Sequence, residues 1–223
     1  MDPATLAAVA LGLLFIGGGK KPHTKGVKKP LSKAERIEMM NEIRSMSNHY
    51  SSEFNSMPFL ADFLTVVGYR ESNFNSSAVS PEIKTNPKNA ERGLFQLRPR
   101  TAFKKQNGLE SKIHDPDILF NPRWSFVCAV YHIWDACDTL SKKGFTPNFS
   151  AIRRWWRLPS LADDYDLIDE LSQDVARRFE KATLDCNQYY GTNIDPDFVW
   201  AQVENWDNYP GMDVMLNVYG LSK

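Results

Sequence analysis

One stretch of the chain combines residue types able to move a proton with a spacing that would enclose them. It is Tyr69-Arg70-Glu71-Ser72-Asn73-Phe74-Asn75, followed by Gly93-Leu94-Phe95-Gln96-Leu97. After Pro58, the residues Phe59, Leu60, Phe63, Leu64 and Val67 recur at three- and four-residue steps, which predicts one apolar helix face opened by a first-turn proline. Four residues beyond Val67, that face reaches Glu71, where the helix gives way to a polar loop. Enclosure among apolar side chains penalises the charged form of a carboxyl. The placement therefore predicts a Glu that stays protonated near neutral pH and serves as a general acid. Gln96 adds an amide that can both donate and accept, suited to an N-acetyl group or a sugar hydroxyl. Gly93 marks a backbone conformation or a close approach that a side chain would block. Taken alone, a Glu at a helix end is more often a solvated surface residue.

The order and spacing of a longer series are more specific. Glu71-Ser72-x-Phe74-Asn75-x-x-Ala78-x-Ser80-Pro81 is followed by Gly93-Leu94-Phe95-Gln96-Leu97-x-Pro99-x-Thr101-Ala102. The series resembles the lytic transglycosylases of the goose-type lysozyme superfamily, of the phage- or virion-associated type. That resemblance implies a lysozyme-like helical domain acting on peptidoglycan glycan strands, at the β-1,4 bond between N-acetylmuramic acid and N-acetylglucosamine. It implies Glu71 as acid and then base, giving 1,6-anhydro-muramyl ends, with no metal or organic cofactor. It also implies a substrate cleft that includes Ser72, Ser80, Gly93, Phe95 and Gln96.

The sequence departs from the family pattern at four places, one being the absence of the Gly that often follows the family's Asn-Pro motif, here Asn121-Pro122. Phe95 replaces a Met, and the loop between Ser80 and Gly93 is longer. Residues 151–159, Ala-Ile-Arg-Arg-Trp-Trp-Arg-Leu-Pro, occupy the region where the family carries Ala-Tyr-Asn-Ala-Gly, whose Tyr lies close to the catalytic Glu. Trp155 or Trp156 is a candidate to stack on a sugar face, with at least one of them expected in the core, and the arginines are candidates to hold carboxylates. Two alternative readings follow. A water-using muramidase needs a second carboxylate, for which Glu82 and Glu91 are the candidates. A virion component with the fold retained and catalysis lost is the other.

Helical signals position these residues. Ser32 caps a helix from Lys33 to about His49, with Ile37, Met40 and Ile43 inward and a polar break at Ser51-Ser52. Pro99 opens a helix running towards Gly108. Asn121-Pro122 opens a central helix to about Lys143, and a long helix from about Asp164 ends at Gly191. Asp195-Pro196 starts another through Val203, and Met212 to Tyr219 adds a last turn or two. Alternating strand patterns are nearly absent, so the fold class is mostly α. His132 reads as structural or surface. No set of residues has metal-ligand spacing, and no phosphate-binding loop is present.

The 223 residues carry no net charge, but the charge is uneven: residues 1–36 hold seven Lys or Arg against Asp2 and Glu35, net +5, leaving −5 for the rest. That balance disfavours a nucleic-acid partner. Residues 4–19 contain no charge and would span about 24 Å as a helix. Asp2 precedes this run and lysines follow it, the reverse of a secretory signal. It therefore predicts an uncleaved membrane anchor over 1–19, a basic linker over 20–32, and one lysozyme-like domain over 33–223. The positive flank and the three cysteines suit a domain that stays in the cytoplasm, whereas peptidoglycan lies outside. A protein that folds in a host cell, joins other virion proteins in a phage or internal-membrane virus, and meets the periplasmic wall during infection reconciles the two.

Overall fold

The computed structural model describes residues 30–103, 115–157 and 168–221. The expected anchor over 1–19, residues 20–29 of the expected linker and the side chain of Trp155 lie outside what it describes. Helix α1, Lys33–Phe54, begins at a reciprocal cap in which the Glu35 amide donates to Ser32 Oγ (3.2 Å) and the Ser32 amide to Glu35 Oε2 (2.6 Å). It continues past His49. Ser51 is accommodated without a break because its hydroxyl donates to Met57 O (2.9 Å), and the helix stops at Asn55 in the left-handed conformation.

Helix α2 covers Leu60–Ser72, and Pro58 and Phe59 form the turn before it; Phe59 is exposed and does not join the inward face. The helix is enclosed on nearly every side, since Thr65, Val66 and Gly68 are buried together with Leu60, Phe63, Leu64 and Val67. Pro99–Ala102 forms a single turn, α3. Helix α4, Pro122–Lys142, starts as expected: Asn121 Oδ1 accepts from the amides of Arg123 (3.0 Å) and Trp124 (3.4 Å). The central position is thus shared between α2 and α4. Helix α5, Phe149–Arg157, falls in a region without a helical signal in the sequence reading, and α6 (Ile168–Tyr190) and α7 (Met212–Val218) complete the set. Asp195-Pro196 yields only the 3₁₀ turn Pro196–Trp200. Among the described residues there are isolated β-bridges and no strands.

Four phenylalanines fasten the elements behind the site. Phe63 of α2 stacks on Phe149 of α5 (5.0 Å between ring centres) and meets Phe179 of α6 (5.5 Å). Phe198, from the turn Pro196–Trp200, closes the group against Phe149 (5.5 Å) and Phe179 (5.6 Å). Aromatic contacts of this geometry add to the stabilisation from area burial alone. The start of α5 is pinned further: Ser150 Oγ donates to Val199 O, and Asn148 Oδ1 accepts from the Ala151 amide (2.8 Å).

Among the described residues no helix is long and apolar enough to cross a membrane, and no group of His, Cys, Asp or Glu is placed to hold a metal ion. Cys128, Cys137 and Cys186 are free and buried, and burial raises all three thiols, Cys128 to about 12. Burial likewise raises Tyr50, Tyr131 and Tyr190 from 10 to about 12. Each of these phenols favours folding while the unfolded chain keeps its proton. The contribution is fully present below about pH 10 and is lost as pH rises through about 12. Thermal melts between about pH 8 and 12 are expected to hold level to about pH 10 and then fall steeply.

Candidate active site

Glu71 occupies the last turn of α2, four residues after the fully buried Val67, and its side chain is only 7% exposed. The sequence pattern anticipates this enclosure but not the neighbour. Arg153 of α5, 82 residues later and 3% exposed, donates through Nη2 to Glu71 Oε1. The pair exists because two helix faces coincide. Phe149 and Arg153 lie one turn apart on α5, Phe63, Val67 and Glu71 follow one another at four-residue steps on α2, and the stacked Phe63–Phe149 rings bring those faces together. In place of a purely apolar setting, the carboxyl meets a fixed positive charge. Enclosure disfavours the ionised form and the guanidinium favours it.

The chain leaves α2 through Asn73 (φ 51°) and Phe74 (φ 60°), both left-handed. Neighbours fix this exit. Arg36 of α1 donates to Asn73 O (3.0 Å), Tyr190 Oη of α6 donates to Asn73 Oδ1, and the Phe74 ring packs edge-on against Tyr190 (5.1 Å). Strained non-glycine residues after Glu71 persist because contacts from α1 and α6 hold them.

Ser72 faces the second half of the motif. Its hydroxyl is buried and bonds Leu94 O (2.8 Å) and Gly68 O (3.1 Å), tying α2 to the turn Gly93–Leu97. Replacing Ser72 with Ala leaves the Leu94 carbonyl without this donor, and is expected to cost about 1–3 kcal/mol in urea unfolding. Ser80 pairs with Glu91 through both backbone and side chain: the Ser80 amide donates to Glu91 O (3.0 Å), and Ser80 Oγ accepts from the Glu91 amide (3.2 Å). Gly93 has φ +77°, its amide donates to Ala78 O (2.9 Å), and its α-carbon lies against the backbone of Leu119. Phe95 is fully buried in the core. Gln96, with φ 48°, directs Nε2 to Gly93 O (2.9 Å) and Ala78 O (3.1 Å), which orients the amide and leaves Oε1 as its acceptor.

The longer loop after Ser80 holds a 3₁₀ turn, Pro81–Lys84, and the bridges Val79–Arg92 and Arg92–Leu97. Arg92 is buried and donates to Pro87 O, Ala90 O (2.7 Å) and Asp117 (2.9 Å), stitching the loop to the turn that precedes α4. Arg98 pairs with both Glu82 (3.2 Å) and Glu91 (3.3 Å). The two candidate second carboxylates thus share one guanidinium. His132 is buried edge-on against Trp156 (4.8 Å), a structural setting. A shallow depression between α2 and α6 is lined by Tyr69, Arg70, Asn73, Arg178, Lys181 and Asp185. Glu71 takes no part in it, because each helical residue turns the side chain by about 100° and Glu71 points to α5 instead.

Two parts of this arrangement escape the sequence reading, the Glu71–Arg153 pair and the Asn73–Tyr190 contact. Only the first left a trace, since an arginine able to hold a carboxylate lies where the Tyr motif is missing.

No curated protein and no solved structure matches the chain. The family model of the transglycosylase SLT domain matches residues 45–157, from within α1 to the end of α5, and so takes in Glu71, the turn Gly93–Leu97 and Arg153. With that match covering half its length, the chain belongs to the transglycosylase SLT domain family, the lytic transglycosylases that act on peptidoglycan.

Proposed function

We propose that the protein cleaves the β-1,4 bond between N-acetylmuramic acid and N-acetylglucosamine with Glu71 as its single acid and base. Protonated Glu71 gives its proton to the glycosidic oxygen as the bond to the anomeric carbon breaks. The resulting carboxylate takes the proton of the muramyl C6 hydroxyl while that oxygen closes on the anomeric carbon. The product is a 1,6-anhydro end, no water is consumed, and Glu71 regains its proton. The observation that carries this reading is one enclosed carboxyl at the end of α2, tied through Ser72 to the turn Gly93–Leu97 and lying within the SLT match.

Residues 4–19 serve in this reading as a membrane anchor, and the protein acts from a virion on the host wall. The apolar run with its basic flank and the reduced, buried cysteines support that setting. The test is digestion of purified peptidoglycan by the full chain, with mass spectrometry of the released muropeptides. Anhydro ends are expected. Reducing ends would establish a muramidase, and intact peptidoglycan in the presence of folded protein would overturn the enzymatic reading.

A further inference from the structure

A guanidinium removed from water costs several kcal/mol unless it is paired and hydrogen-bonded, so an arginine held at 3% exposure on a catalytic carboxyl calls for a role. Tertiary packing delivers this charge, with the Phe63–Phe149 stack and the pinned start of α5 aiming Arg153 at the end of α2. We propose that Arg153 is a positioning residue for the transfer reaction: it fixes the Glu71 carboxyl and holds it ionised between turnovers, so that the acid form needed to open the glycosidic bond is populated at lower pH than a Glu without this partner would supply it. The inference rests on Glu71 being the acid and base.

Other charged groups on the packed elements hold partners of their own. On α1, Arg36 is held at Asn73 O and Arg44 at Asp62 of α2 (2.8 Å). On α2 itself, Arg70 reaches Arg178 O (3.4 Å). On α6, Arg178 pairs with Asp174 (2.7 Å), Lys181 with Asp185 (3.8 Å), and Tyr190 with Asn73. In the loop, Glu82 and Glu91 pair with Arg98, and Arg92 with Asp117. Arg154, next to Arg153 on α5, and His132 of α4 are buried as well. Arg153 is in ion-pair contact with Glu71.

The test titrates the side-chain carboxyl carbons of the full-length protein by NMR after labelling its glutamates with ¹³C, the Glu71 signal being assigned as the one missing from Glu71→Gln. In Arg153→Met the midpoint of Glu71 is expected to rise by about one pH unit or more, with Arg153→Lys staying near wild type. The alkaline limb of the peptidoglycan-cleavage profile is expected to move upward in step, a displacement that a purely structural role would not produce. Equal midpoints in wild type and Arg153→Met overturn the proposal. So does a wild-type midpoint at neutral pH or above, far over the ordinary glutamate value of about 4.3, because enclosure would then have outweighed the guanidinium; that result needs no folded variant. Because the titration uses no activity, its failure leaves the transglycosylase reading in place. A chain that titrates as expected yet leaves peptidoglycan intact would confirm that Arg153 holds the charge and overturn that reading.

Discussion

Glu71→Gln is expected to lower the rate of peptidoglycan cleavage by about 10²–10⁴-fold, the usual contribution of a positioned acid–base group. Gln keeps the size of the side chain and can accept from Arg153, but it can neither give nor take the proton. The same change removes the negative charge facing a buried guanidinium, so the variant is also expected to lose about 1–3 kcal/mol of stability. Measuring cleavage well below the melting temperature separates the two effects. A folded Glu71→Gln protein that still releases anhydro muropeptides at the wild-type rate would remove Glu71 from the chemistry.

The largest effect on stability is expected at Gly93. A β-carbon placed there would lie 2.0 Å from Leu119 O and 3.0 Å from Leu119 C, with Ser125 Oγ at 3.2 Å. Backbone atoms cannot rotate aside as a side-chain tip can, and φ is +77°, where an L side chain adds strain. Gly93→Ala is therefore expected to destabilise the protein by about 3–5 kcal/mol in urea or thermal unfolding. It would also separate the turn Gly93–Leu97 from the segment before α4, and with it the carbonyls that orient Gln96. A loss below about 1 kcal/mol would show that the backbone at Leu119 gives way.

Much of what builds the site was already legible in the chain, for a local reason. Ser32 with Glu35, Asn121 with Pro122, and the three- and four-residue steps from Leu60 through Phe63 and Val67 to Glu71 act between residues within one helical turn of each other. Types and spacing alone therefore place a carboxyl at the end of an apolar helix and a glycine where a backbone must pass closely. The helix over 149–157 has a local cap at Asn148 and sets Phe149, Ile152 and Trp156 on one face, but its nine residues carry that signal only briefly. Its position is fixed by Val199, Ala201 and Phe198, contributed some fifty residues later.

Side-chain direction within the motif was decided in the same way. Phe95 and Gln96 are consecutive, yet one fills the core and the other carries an oriented amide, because Gln96 adopts a left-handed backbone and its Nε2 is held by Ala78 and Gly93. By itself the sequence determined that an enclosed Glu71 ends α2 beside a tight glycine turn. Only the tertiary structure decided that its partner is a guanidinium, since the pairing of residues 82 apart follows from how four phenylalanines pack α2, α5 and α6 together. That packing is a property of surfaces meeting in space, and the spacing along either helix carries no record of it.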